Sequence, residues 1–204
     1  MHPIRSAVRA FLCTGLLLAC CLPAIVRADD APAAPAGIRG EMIANINDAG
    51  SKVQELASAV PEAKYSWAPA KGVRTTGQVY LHIVAANYML PGVMGVKGGM
   101  SMEEGMQLDK KAQSKEKTLQ LLKESYAFLT NAIAGMSDAD LEAPVEFFGS
   151  KMTKRAMLLV ALGHSHEHLG QSIAYARSMG VTPPWTAREN AAAKKMQDEK
   201  AMKK

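Results

Sequence analysis

The chain has 204 residues, with 24 Lys and Arg against 19 Asp and Glu and a formal net charge of +5. Arg5, Arg9 and Arg27 stand at the start and Lys194, Lys195, Lys200, Lys203 and Lys204 at the end, so the interior carries no concentrated basic face, which argues against nucleic-acid binding. Cys13, Cys20 and Cys21 all fall near the start, which leaves no cysteine pair to bridge the remainder.

The first residues combine Arg5 and Arg9 with an apolar run from Ala10 to Val26 and small residues at Val26 and Ala28. This pattern predicts a secretory signal peptide over 1–28, cut after Ala28, and a periplasmic or secreted protein; Pro23 breaks the apolar run and Arg27 ends it too soon for a membrane span. Leu17-Leu18-Ala19-Cys20 also resembles a lipoprotein cleavage box, a minor alternative that would leave Cys20 lipidated. Asp29 to Gly37, rich in Ala and Pro, reads as a disordered linker.

The folded domain is expected over 38–185. Ile38, Met42, Ile46, Ala49, Val53, Leu56 and Val60 recur at three and four, the spacing of one helix face, and Pro61 ends the run. Tyr65-Ser66-Trp67-Ala68-Pro69 is a loop with an aromatic anchor, and Thr75 three residues before Gln78 is a capping box that opens a second helix near Thr76. That helix runs through His82 to a break at Pro91-Gly92. From Gly92 to about Gln107, glycines mix with Met94, Met100, Met102 and Met106 in what reads as a long mobile connection.

Leu119, Leu122, Tyr126, Leu129 and Ile133 line a third amphipathic helix that ends at Gly135. Val145 to Gly149 looks extended and is expected to tuck Phe147 and Phe148 under the domain. Thr153 opens a fourth helix to Gly180, Pro183-Pro184-Trp185 terminates it, and 186–204 is a charged tail, a solvated helix or disordered. With no convincing strand pattern, the fold class is all-α: a four-helix bundle with long inter-helix connections.

Every histidine after the leader lies in the second or fourth helix: His82, and His164, His166 and His168 in Gly163-His-Ser-His-Glu-His-Leu169. Residues four apart share a helix face, so His164 and His168 point together, while His166 and Glu167 point elsewhere. Two imidazoles one turn apart can bind a single divalent ion, and His82 is the available third, completing a three-histidine site with open positions. The plain alternative is a hydrogen-bonded core His82 and two histidines on a solvated face. Gln171 and Tyr175 continue the face of His168 and either line the pocket or pack the bundle.

Gly77 to Asn87, GQVYLHIVAAN, and His164 to Trp185, HSHEHLGQSIAYARSMGVTPPW, resemble the DinB-like family, the DinB/YfiT-like metal-binding four-helix bundles, with Trp67-Ala68-Pro69 adding to the match. The resemblance extends from about Ile38 to Trp185. It implies that His82, His164 and His168 hold a divalent ion, nickel or zinc. It also implies chemistry like that of the family's transferases and isomerases, which use a low-molecular-weight thiol.

Three functions follow as expectations. The first is a metal-dependent enzyme, of hydrolase or thiol-dependent transferase type, acting on a small-molecule substrate; no carboxylate within one turn on either histidine face supplies an evident base, which leaves the ion or Tyr175 for proton transfer. The second is a non-catalytic metal-binding or sensing protein of the cell envelope, related to copper through the methionine cluster. The third is a structural or partner-binding helical module, and a homodimer is compatible with any of them. No Cys-x-x-Cys-His sequence speaks for attached heme.

Overall fold

Along the first apolar stripe, Met42, Ile46, Ala49, Val53 and Leu56 are all buried on one side of α1 (Gly37–Ala59). The computed structural model describes residues 35–202; the expected signal peptide, its expected cleavage site and Cys20 lie outside them. Three further long helices are α2 (Thr76–Val93), α4 (Lys115–Ala134) and α5 (Lys154–Ser178). A short α3 (Met102–Leu108) precedes α4, a hairpin of β1 (Pro144–Phe147) and β2 (Ser150–Thr153) precedes α5, and α6 (Pro184–Met202) ends the described chain. No described helix is long and apolar enough to cross a membrane.

The four long helices form a bundle. α1 packs against α4 and α5, and α2 packs against the same two, so α1 and α2 take opposite corners although they are consecutive in the chain. Links that cross between opposite corners have to be long, which accounts for the segments before α2 and before α5. The ordering also makes α2 and α5, the two histidine-bearing helices, direct neighbours. Leu56 of α1, Ile83 of α2, Leu122 and Leu129 of α4 and Leu158 of α5 meet in the shared core.

Local chemistry starts each helix where the side chains allow. The Thr75 hydroxyl accepts from the Gln78 N–H while the Gln78 side chain accepts from the Thr75 N–H at 2.8 Å, the expected capping box of α2. Ser114 caps α4 and Thr153 caps α5 in the same way, each accepting at 3.2 Å from the N–H three residues on.

Four details depart from the sequence expectation. α2 continues past Pro91 to Val93: the missing proline N–H removes one helical bond near the end, and Met94 N–H to Leu90 O and Val96 N–H to Pro91 O close the turn. The connection after α2 is not featureless, because Ser101 and Glu104 form a second capping box that opens α3. Its glycines permit close approach: a Cβ on Gly99 would stand 2.5 Å from the Gly92 Cα.

The extended piece is one strand of an antiparallel hairpin, with Phe147 opposite Ser150. Its two-residue turn holds Phe148 and Gly149 at φ of 48° and 75°, the left-handed pair of a tight hairpin. Phe147 packs on the core as expected, but Phe148, at the turn, is 75% exposed. The tail is helical without a buried residue, and Pro184 begins it, because proline fits a first turn as well as it ends a preceding helix. The Arg188 guanidinium of α6 pairs with Glu55 of α1 at 2.5 and 3.2 Å.

Candidate metal centre

His82 sits on α2 where that helix faces α5, and one α5 turn separates His164 from His168. The three rings converge, with centroids 5.0 Å apart for His82 and His164, 4.7 Å for His82 and His168, and 4.3 Å for His164 and His168. Their potential ligand nitrogens lie within 4.8 Å of one another, and Nε2 of His82 is 3.2 Å from Nε2 of His164. Two nitrogens on one tetrahedral ion with bonds near 2.0–2.1 Å would be about 3.3–3.4 Å apart, so this spacing suits a shared ion. It equally suits one imidazole donating to the other when no ion is bound.

Electrostatics favours the neutral rings that metal binding requires. Burial, then the neighbouring Arg74 and His168, pushes His82 down to about 4 against the opposing pull of Asp109. Burial, then the neighbouring His168, His82 and Arg74, pushes His164 down to about 3. Near neutral pH both rings therefore offer a lone pair.

His168, 7% exposed, is held by Gln171: Nδ1 meets Oε1, which can only accept, at 2.7 Å. In the neutral ring this acceptor favours the tautomer with the proton on Nδ1 and the lone pair on Nε2. The Gln171 amide donates onward to the Tyr175 hydroxyl at 3.2 Å, and that hydroxyl donates to the Arg74 carbonyl at 3.4 Å. The Trp67 ring meets Tyr175 edge-on at 5.3 Å, and the Trp67 carbonyl accepts from the Thr76 N–H at 2.8 Å, tying the aromatic loop to the start of α2. Gln171 and Tyr175 thus both belong to the surroundings of the histidines. His166 does not, since it is exposed and its Nδ1 turns back to Leu162 O; Glu167 is also exposed.

A cavity of about 810 Å³ opens beside His82 and is lined also by Arg74, Gln78, Asp109, Gln171 and Tyr175, with Met89 and Met106 on its apolar side. Asp109 and Arg74 are the residues that sequence reasoning missed. Asp109 follows α3, is 8% exposed, accepts from Arg74 Nε at 2.7 Å and lies 3.5 Å from His82 Nδ1. It belongs to neither histidine helix, so no periodicity could have found it; the Ser101–Glu104 capping box was the only sign that its segment is ordered. Of the methionines of the same connection, Met94 is buried in the core and Met100 borders a separate cleft, while Met106 is exposed at the cavity.

Residues 46–172 match the family described as the DinB superfamily. The chain belongs to the DinB superfamily. Uncharacterized protein YjoA of Bacillus subtilis (strain 168) is 28% identical over 132 residues, which cover 63% of this chain and 82% of YjoA. The fold is shared with the crystal structure of a DinB-like protein from Bacillus cereus (TM-score 0.62, 23% identity, 72% of this chain and 95% of that one). It is also shared with YfiT from Bacillus subtilis (TM-score 0.57, 17% identity, 71% and 89%), described as a probable metal-dependent hydrolase with an unusual four-helix bundle topology.

Proposed function

We propose that this chain is an exported divalent-metal-binding protein that uses His82, His164 and His168 for metal-dependent chemistry of hydrolase or thiol-dependent transferase type. The observation that carries the reading is the convergence of three imidazoles from two adjacent helices, two of them with ligand nitrogens 3.2 Å apart. Zinc or nickel suits an all-nitrogen donor set. The description of YfiT as a probable metal-dependent hydrolase supports the same chemistry, and the Arg-flanked apolar leader supports export.

An ion held there would polarise a substrate oxygen or sulfur and lower the pKa of a bound water. The remaining work falls to the chain. Gln171 holds the His168 proton on Nδ1, keeping Nε2 free. The cavity beside His82 admits a small molecule, to which the Tyr175 hydroxyl, the Gln78 amide and the Arg74 guanidinium offer hydrogen bonds. Met89, Met106 and Val73 line its apolar side.

Binding or sensing of metal without chemistry is the second reading. Its copper form is favoured only by Met106 and Met89 at the cavity, since Met94 and Met100 lie elsewhere. Elemental analysis of the tagless protein beside His82→Ala and His168→Ala tests the shared premise. One zinc or nickel per chain is expected in the parent and a small fraction of that in each variant; equal metal in all three would remove the proposed centre.

A further inference from the structure

The carboxylate of Asp109 lies between the Arg74 guanidinium and the His82 ring. Its Oδ2 takes the Arg74 Nε–H at 2.7 Å and stands 3.5 Å from Nδ1 of His82. On the opposite side of the same ring, Nε2 of His82 faces Nε2 of His164 at 3.2 Å. A neutral imidazole has one proton for its two nitrogens, and the partner of one decides the state of the other. An acceptor-only carboxylate at Nδ1 draws the proton there and leaves Nε2 as a lone pair turned toward the other histidines. Gln171 does the same to His168 from α5.

We propose that Asp109 is a positioning residue that sets the tautomer and ring orientation of His82, making the segment between α2 and α4 part of the centre rather than a cover over it. The proposal rests on the metal-site reading for its purpose but not for its test. Arg74 gives the carboxylate a fixed seat: it stands just ahead of α2, its side chain holds Asp109, and its carbonyl receives the Tyr175 hydroxyl that continues to Gln171 and His168. One residue thus connects the acceptors behind two of the three rings. A plain anchoring role, in which Asp109 only ties α3 to Arg74, would leave His82 indifferent to its loss.

The measurement is the protonation pattern of the imidazole nitrogens in the metal-free full chain labelled with ¹⁵N-histidine, read by long-range ¹H–¹⁵N correlation at pH 7.5. The His82 signals are assigned by their loss in His82→Ala. In the parent and in Asp109→Asn, which keeps an acceptor oxygen, His82 should be protonated on Nδ1. In Asp109→Ala and in the bulkier Asp109→Leu, the Nδ1-protonated share should fall to less than half, and whichever of the two folds is sufficient. A parent pattern retained in either folded variant overturns the proposal.

Zinc competition against a chromophoric chelator gives the second readout. The Ala and Leu variants should bind about 10- to 100-fold more weakly, the size of loss typical for partners that orient a ligand, and Asp109→Asn should stay within roughly threefold of the parent. Equal zinc affinity in all four would also overturn it. A parent that binds no zinc removes the metal reading, while the tautomer comparison still decides whether Asp109 controls His82.

Discussion

Gln171 shows how little side-chain movement the centre tolerates. Its Oε1 meets His168 Nδ1 at 2.7 Å and its amide donates to the Tyr175 hydroxyl, so turning the amide over would force both partners to exchange donor and acceptor roles. Gln171→Leu keeps the bulk and removes the acceptor. We expect zinc affinity to fall roughly tenfold with urea stability within about 1 kcal/mol of the parent, checked by chelator competition and denaturation of one preparation; unchanged affinity would make Gln171 ordinary packing. Gly50 is a residue of another kind. A Cβ there would meet the Tyr126 ring at 2.7 Å, so the glycine is what lets α1 approach α4. Alanine offers about 1 kcal/mol of helix propensity, but overpacking against a buried ring costs about 1–3 kcal/mol. Gly50→Ala should therefore lower stability, and a variant that melts at or above the parent temperature would contradict this packing account. Nothing in the sequence distinguishes Gly50 from a tolerated helix glycine, because the reason for it lies on another helix.

At the scale of elements, the long helices were readable because each carries its own signals. α1 and α4 have a clean apolar stripe, α2 has Thr75 and Gln78, and α5 has Thr153. α3 was hidden by its length of seven residues and by glycines whose purpose is close approach to α2. The hairpin was hidden by its turn, since Phe148-Gly149 lacks the Asn or Asp that usually announces two left-handed residues. α2 carries His82 to the centre, and the test of its start is direct. Thr75→Ala removes the hydroxyl that accepts from the Gln78 N–H and should cost about 1 kcal/mol of unfolding free energy. Denaturant titration should show a lower midpoint with an unchanged slope; an unchanged midpoint would mean that packing of α2 between α4 and α5 fixes its first turn without the cap.

For the whole molecule, the step the sequence left open was whether the second and fourth expected helices are neighbours. Spacing placed His164 and His168 on one face, but only the circular order of the bundle, with α1 and α2 at opposite corners, brings His82 to them. The same convergence buries three basic rings together, which makes the metal-free fold sensitive to acid. His82 and His164 are lowered from 6.5 to about 4 and about 3 in the folded chain. Between those values and 6.5 the unfolded chain binds more protons, so stability is full above about pH 6.5 and declines as pH falls toward 4 and then 3. By pH 5 each ring should remove about 2 kcal/mol, on the order of 4 kcal/mol for the two together before solvent screening of the half-buried rings reduces it. Carboxylates add their own slope at lower pH, so the comparison that isolates the rings is the metal-free parent against a His82→Ala, His164→Ala double variant. Urea titrations from pH 7.5 to 5 should show the parent losing stability and the variant much flatter over that window. Saturating zinc at pH 7.5 should raise the parent melting temperature and leave the double variant unmoved, because an ion that binds only the folded state stabilises by its occupancy. Parallel pH slopes in the two proteins would show that the rings are not forced to stay neutral, and the electrostatic argument for a pre-formed ligand cluster would fall with that result.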